Sequence, residues 1–178
     1  MSGSLNIDGK QFTFPEGWQV LKYDDSSFHQ NQFQSFAGGS KALDAVALAP
    51  DRTLWLIEVK DYSRSRRSKA GTVFSEVAAK LRATLAGLAA ARVRANDKSE
   101  REFAHEAMGA GSLRVALHLD QPERSSRLFP QVIDPKTART QLRREVRAVD
   151  PQAVCCGRGV GQTPMPWTVT SERRVVDD

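Results

Sequence analysis

The chain has 178 residues, with 26 basic (Lys and Arg) against 21 acidic side chains and a formal net charge of +5. With 40% hydrophobic and 26% charged residues it has the composition of an ordinary globular chain, long enough for one domain with its own core. No apolar run nears membrane-spanning length and residues 1–8 lack a basic or apolar leader, so the expectation is a cytoplasmic protein with no membrane partner.

In chain order, residues 5–7 and 11–14 are short apolar runs split by Asp8-Gly9, a hairpin signal. Residues 18–23 fit a third strand. Asp24, Asp25, Ser26 and Ser27 offer caps for a short helix reaching about Phe36, and Gly38-Gly39-Ser40 ends it.

Residues 43–49 and 53–60 read as two strands around a turn built on Pro50 and Asp51. A three-residue loop, 50–52, sets Ala49 opposite Thr53 and Asp44 opposite Glu58. Directly opposed residues hold their Cβ atoms about 4.5–5.5 Å apart. Lys60, two residues beyond Glu58, emerges on the same face. A two-residue loop would instead bring Asp44 opposite Val59. Val46, Leu48, Leu54 and Leu56 share the acidic face, and Leu43, Ala45, Ala47, Trp55, Ile57 and Val59 take the other. A hairpin apolar on both faces is covered on both. Three charged groups at its end are costly unless paired or metal-bound, and a hard cation with oxygen ligands suits the two carboxylates. The bland alternative is a strand-end Asp44 beside a Glu58–Lys60 ion pair.

Asp44, thirteen intervening residues, then Glu58-Val59-Lys60 resembles the PD-(D/E)XK nuclease superfamily, in particular its nuclease-related (NERD-like) and restriction-endonuclease-like branches. The close match spans residues 41–62, with Leu43 rather than Pro ahead of Asp44. The resemblance implies an α/β fold with a restriction-endonuclease-like αβββαβ core, a mixed central sheet flanked by helices. It implies Asp44, Glu58 and Lys60 as catalytic residues. Asp44, Glu58 and the backbone carbonyl of Val59 would hold Mg²⁺ or Mn²⁺, and the products would carry 5′-phosphates. In such proteins an acidic residue on a helix before the hairpin often completes the metal shell; Asp24, Asp25 and Gln30 are the candidates, with helix capping the equal alternative for the two aspartates.

Arg64, Arg66, Arg67 and Lys69 follow as a basic segment suited to a phosphate backbone. Phe74, Val77, Ala78, Leu81, Leu85, Leu88 and Ala89 recur at helical spacing to about Arg94, predicting a crossover helix. On it Lys80 could point to the site, but a lone lysine is expected in solvent. A second helix is expected over 100–108, then a strand over 113–119 with one buried face, parallel to a hairpin strand. Residues 136–149 predict a helix with Leu142 and Val146 inward and Arg139, Arg143, Arg144 and Arg147 outward. Edge strands are expected at 153–156 and 167–170. The glycines at 157, 159 and 161 lack the strand–helix context of a dinucleotide loop. Cys155 and Cys156 are adjacent and His29, His105 and His118 scattered, which gives neither a disulfide framework nor a zinc set.

The expectation is one nuclease-like domain over 1–178, with its core at about 24–120 and a C-terminal helix and edge strands over 121–178. Its expected function is Mg²⁺-dependent endonuclease cleavage of nucleic acid, DNA ahead of RNA, in a defence or repair setting. A homodimer or a larger complex stays open. The alternatives are a non-cleaving nucleic-acid-binding module and an assembly subunit.

Overall fold

Two turns dictate the strand pairing. Asp8 and Gly9, at φ 51° and 74°, both adopt the left-handed backbone that a two-residue hairpin turn needs. They join β1 (Ser4–Ile7) to β2 (Lys10–Thr13) with Ile7 opposite Lys10. The second turn follows β3 (Gln19–Lys22) and β4 (Ala45–Leu48) and leads into β5 (Thr53–Asp61). Here Ala49 N–H donates to the Thr53 carbonyl at 2.9 Å, so the loop has three residues. Arg52 takes the left-handed position, φ 64°, and is held there: its carbonyl accepts from Gly111 N–H at 2.9 Å and its guanidinium donates to the Gly109 carbonyl. Ala45 therefore faces Ile57, and the same register continued by one residue sets Asp44 opposite Glu58.

A computed structural model describes residues 3–63, 72–128, 130–161 and 163–171. After β5 the chain crosses over through α1 (Val73–Arg94), capped by Thr72, and α2 (Lys98–Ala107), capped by Asp97. It returns as β6 (Ser112–Asp120), parallel to β5, as a helical crossover favours. Then α3 (Pro135–Val146) leads to β7 (Val154–Cys156), parallel to β6. The result is a mixed five-stranded sheet of order β3-β4-β5-β6-β7. Among the described residues, no helix is long and apolar enough to cross a membrane.

The helices pack on one face only. Val46, Leu48, Leu54, Leu56, Val115, Leu117 and Leu119 meet Val77, Leu81 and Leu88 of α1 and Leu142 and Val146 of α3. Each fully buried aliphatic side chain contributes about 1.5–3 kcal/mol. The other face is covered by a small sheet in which β2 pairs with β1 and with β8 (Thr168–Ser171). There Ala45, Ala47, Trp55, Ile57, Val59 and Ala116 pack against Ile7, Phe12, Phe14 and Trp167. This cover also explains why β6 is buried on both faces rather than on one as expected. Leu43 was expected on the face opposite the acidic one, with Ala45 and Ala47, but joins the core under α1, where its N–H donates to Thr84 Oγ1 at 2.9 Å.

The short helix expected before the hairpin is a π-type turn, His29–Phe33, followed by a tight turn, Phe36–Gly38. It lies between β3 and β4, after the 18–23 strand as the sequence predicts, whereas the αβββαβ order implied by the resemblance has a helix ahead of all three strands. Neither Asp24 nor Asp25 caps it. Ser27 N–H and Phe28 N–H instead donate to the Glu100 carboxylate from α2, at 2.7 and 2.8 Å.

Candidate functional site

The site lies where β4 and β5 end beneath α1. β4 begins at Ala45, and the side chain of Asp44 just ahead of it reaches β5, where its Oδ2 accepts from Val59 N–H at 2.6 Å. Glu58, fully buried on β5, has Oε1 2.6 Å from Lys60 Nζ and 2.7 Å from Lys80 Nζ. Lys80 descends from α1 and also reaches Asp44 Oδ1 at 3.7 Å. One turn earlier on α1, Glu76 Oε1 lies 3.1 Å from Lys60 Nζ. Asp24 adjoins the group because the β3–β4 ladder ends with Tyr23 N–H donating to the Asp44 carbonyl at 2.9 Å.

These groups perturb one another. Burial, and the Asp44 charge after it, push the Glu58 carboxyl up to about 7 against the pull of both lysines. Burial raises Asp44 as well. Asp24 is pushed up to about 6 by burial and then by the Asp44 and Asp25 charges. Burial alone would lower the Lys60 ammonium, but Glu58 and Glu76 outweigh it and hold it above its ordinary value. Of the site's carboxylate oxygens, Glu58 Oε2 and Asp24 Oδ1 are buried with no hydrogen-bond partner among the described residues.

Four carboxylates thus surround two ammonium groups, an excess of negative charge in a largely dry pocket. Asp44 and Glu58 are the oxygen donors here that a hard divalent cation could use. Mg²⁺ typically takes one or two carboxylates and keeps several waters. Asp44 and the orphaned oxygen of Glu58 supply that number. Among the described residues no group of three or more His, Cys, Asp or Glu side chains is placed to hold a metal ion.

Of the residues expected from sequence, Asp44, Glu58 and Lys60 come together on one face. Asp24, of the three candidates for a third acid, lies beside Asp44. Asp25 is instead turned to Lys22 at 2.6 Å, and Gln30 is on the exposed side of its helical turn. Arg64, Arg66, Arg67 and Lys69 lie outside the described residues. The outward arginines of α3 are partly engaged: Arg139 donates to Thr163 Oγ1 and Arg143 to the Ala153 carbonyl.

Lys80 is a correction, since a solvated side chain was expected and the ammonium bridges both acids. Glu76 was missed. The signal for both was in the helical spacing: each belongs to the same stripe as Val73, Val77, Leu81 and Thr84, which α1 buries. A lysine and a glutamate one turn apart on a buried stripe need partners across the interface.

No family model matches the chain, and no solved structure matches it. It is similar to a cysteine–tRNA ligase of Neisseria meningitidis, 30% identical over 69% of this chain and 22% of the relative. The chain therefore spans about a fifth of that protein's length.

Proposed function

We propose that the chain is a metal-dependent phosphodiesterase acting on nucleic acid, built on a restriction-endonuclease-like core. What supports the fold reading is the run of antiparallel β3, β4 and β5 followed by an α1 crossover to parallel β6. The observation that carries the chemistry is Glu58. It is a wholly buried carboxylate opposite Asp44, with one oxygen held by two ammonium groups and the other without a partner among the described residues.

Asp44 and Glu58, with the backbone carbonyl of Val59, would hold the cation. Bound there, it would supply Lewis acidity toward a phosphoryl oxygen and lower the pKa of a water in its shell. Lys60, fixed between Glu58 and Glu76, orients the attacking water or stabilises charge developing on the phosphate oxygens. Lys80 holds Asp44 and Glu58 in one arrangement before the cation arrives. Net charge of +5 favours a polyanionic substrate. The similarity to a protein named for tRNA brings RNA into the comparison alongside DNA.

The test is cleavage of supercoiled plasmid, single-stranded DNA and tRNA with Mg²⁺, Mn²⁺ or EDTA, by the parent and Glu58→Gln side by side. Metal-dependent cutting that is lost in Glu58→Gln is expected. Equal cutting by both proteins in matched preparations would refute the mechanism.

One observation favours a second reading, a non-cleaving nucleic-acid-binding module. Lys80 pairs with both carboxylates, 2.7 Å from Glu58 and 3.7 Å from Asp44, on the side where a cation would sit. Strand binding that is indifferent to EDTA, with no turnover on any substrate, would select that reading.

A further inference from the structure

A cleft of about 550 Å³ opens directly beside the candidate site, between the turn at 36–41 and the first half of α1. Its volume is within the roughly 300–1,000 Å³ of small-ligand sites. Glu76 and Lys80 line both the cleft and the site, so the two are continuous. The cleft floor is made of small residues, Ala79, Ala83 and Ala86, which leave a flat surface. Its wall is aromatic. Phe33 and Phe36 line it and stack with ring centroids 5.2 Å apart, and Phe28, buried and outside the lining, stacks on Phe33 at 5.8 Å.

Phe36 ends this staircase and is 61% exposed, forgoing the burial a phenylalanine ordinarily gains. The backbone that presents it is unusual: Ala37 holds φ 53°, in the left-handed region that disfavours a side chain. Lys41 and Arg82, both exposed, add positive charge to the cleft lining. An open ring ending a stack, beside two cations and next to a phosphodiester-cleaving centre, has the elements of a single-strand binding platform.

We propose that this cleft binds an unpaired nucleobase adjoining the scissile phosphate, with Phe36 as the stacking surface and Lys41 and Arg82 on the flanking phosphates. The substrate is then a single-stranded or locally unpaired nucleic acid, because a base inside a duplex has both faces already stacked. The assignment rests on the nuclease reading for its orientation, but its binding test does not require cleavage.

The experiment is fluorescence anisotropy in EDTA with labelled single-stranded DNA, the same sequence as RNA, the matching duplex, and a strand of abasic sites. Phe36→Ala is expected to weaken binding of at least one base-bearing single strand by roughly 5- to 150-fold. It should leave duplex and abasic strands within about twofold, since those offer no free base to stack. Phe36→Trp should restore the affinity. Lys41→Ala and Arg82→Ala should each lower the salt slope by about one unit.

An equal loss on duplex and single strand, or no loss on either single strand, overturns the proposal. So does a parent that binds no strand. If Phe36→Ala abolishes a dimer seen by light scattering in the parent while strand binding is unchanged, the face belongs to a second copy and the proposal falls. If no substrate is cut yet Phe36-dependent strand binding persists, the nuclease reading fails and the base platform stands. The ring is exposed, so a folding defect is not expected, and an unchanged melting temperature checks this.

Discussion

Replacing Lys80 by methionine separates the electrostatics of the site from its packing. Methionine keeps most of the aliphatic stem under α1 but removes the ammonium 2.7 Å from Glu58 and 3.7 Å from Asp44. Breaking a buried ion pair from one side typically costs about 3–5 kcal/mol, because the remaining charge is stranded. Two features reduce that here. Lys60 still contacts Glu58 at 2.6 Å, and Glu58 can escape by taking a proton, its carboxyl already raised to about 7. The expected loss is therefore about 2–3 kcal/mol at pH 8. It should shrink to about 1 kcal/mol or less near pH 6, where the folded parent already carries that proton for much of the time.

The sign follows from linkage. A carboxyl whose folded pKa is raised binds more protons in the folded than in the unfolded state, so its contribution to stability falls as pH rises from about 4.5 through 7. Removing Lys80 raises that folded pKa further and steepens the fall. Urea denaturation at pH 6, 7 and 8, with and without Mg²⁺, measures it. Mg²⁺ should rescue the variant more than it stabilises the parent, since the cation takes over the charge that Lys80 supplied. A loss of equal size at all three pH values, or no loss, would refute the electrostatic account and leave Lys80 as packing alone.

Metal affinity should rise by up to about tenfold per pH unit toward pH 7 and level off above it, because the Glu58 proton must leave before the oxygen can ligate. Titration calorimetry with Mn²⁺ checks this, and Glu58→Gln should bind more weakly with a flatter profile. Gly87→Ala should destabilise by about 1–3 kcal/mol although alanine is the better helix former. An added Cβ would clash with Tyr23 Oη and meet Phe33 at 3.4 Å, and the overpacking outweighs the propensity gain of about 1 kcal/mol. Thermal unfolding reads the sign directly. Lys10→Met should cost about 3–5 kcal/mol, since Lys10 joins the small sheet to the strand ends through Asp61 and Asp120, each at 2.8 Å. Burial opposes ionisation of Asp120, but hydrogen bonds from His118 and Lys10 hold it well below the usual carboxylate range. That stabilisation is present above the unfolded value near 3.9 and is lost as pH falls further, so the variant should unfold at higher pH in an acid titration.

The parts legible in the sequence share a cause: they are local. The Asp8-Gly9 and Pro50-Asp51 turns, the alternation on either side of each, and the spacing of α1 all act within one or two turns of chain. The register of Asp44 against Glu58 depended only on the loop having three residues. What could not be read was long-range. β8 joins β2 across most of the chain, and nothing in residues 168–171 names that partner. The second face of the central sheet therefore looked like a place for helices. Of the four residues offered as caps for the His29–Phe33 turn, Ser26 serves, its Oγ accepting from His29 N–H at 3.3 Å, but Asp24 and Asp25 do not, because the Glu100 carboxylate on α2 takes the Ser27 and Phe28 N–H groups.

Lys80 shows how local and long-range information combine. Its place on the buried stripe of α1 was visible, but the rotation of that helix over the sheet decides what the ammonium meets. Val77 and Leu81 fix that rotation by packing on the strands, and the rotation brings Glu76 and Lys80 down on Lys60 and Glu58 together. The apolar stripe thus aims the charged pair. Repacking Val77 or Leu81 would disturb the site without touching any charged group. The same rotation turns Ala79, Ala83 and Ala86 toward the cleft beneath Phe36, so one helix sets both the acidic centre and the floor beside it.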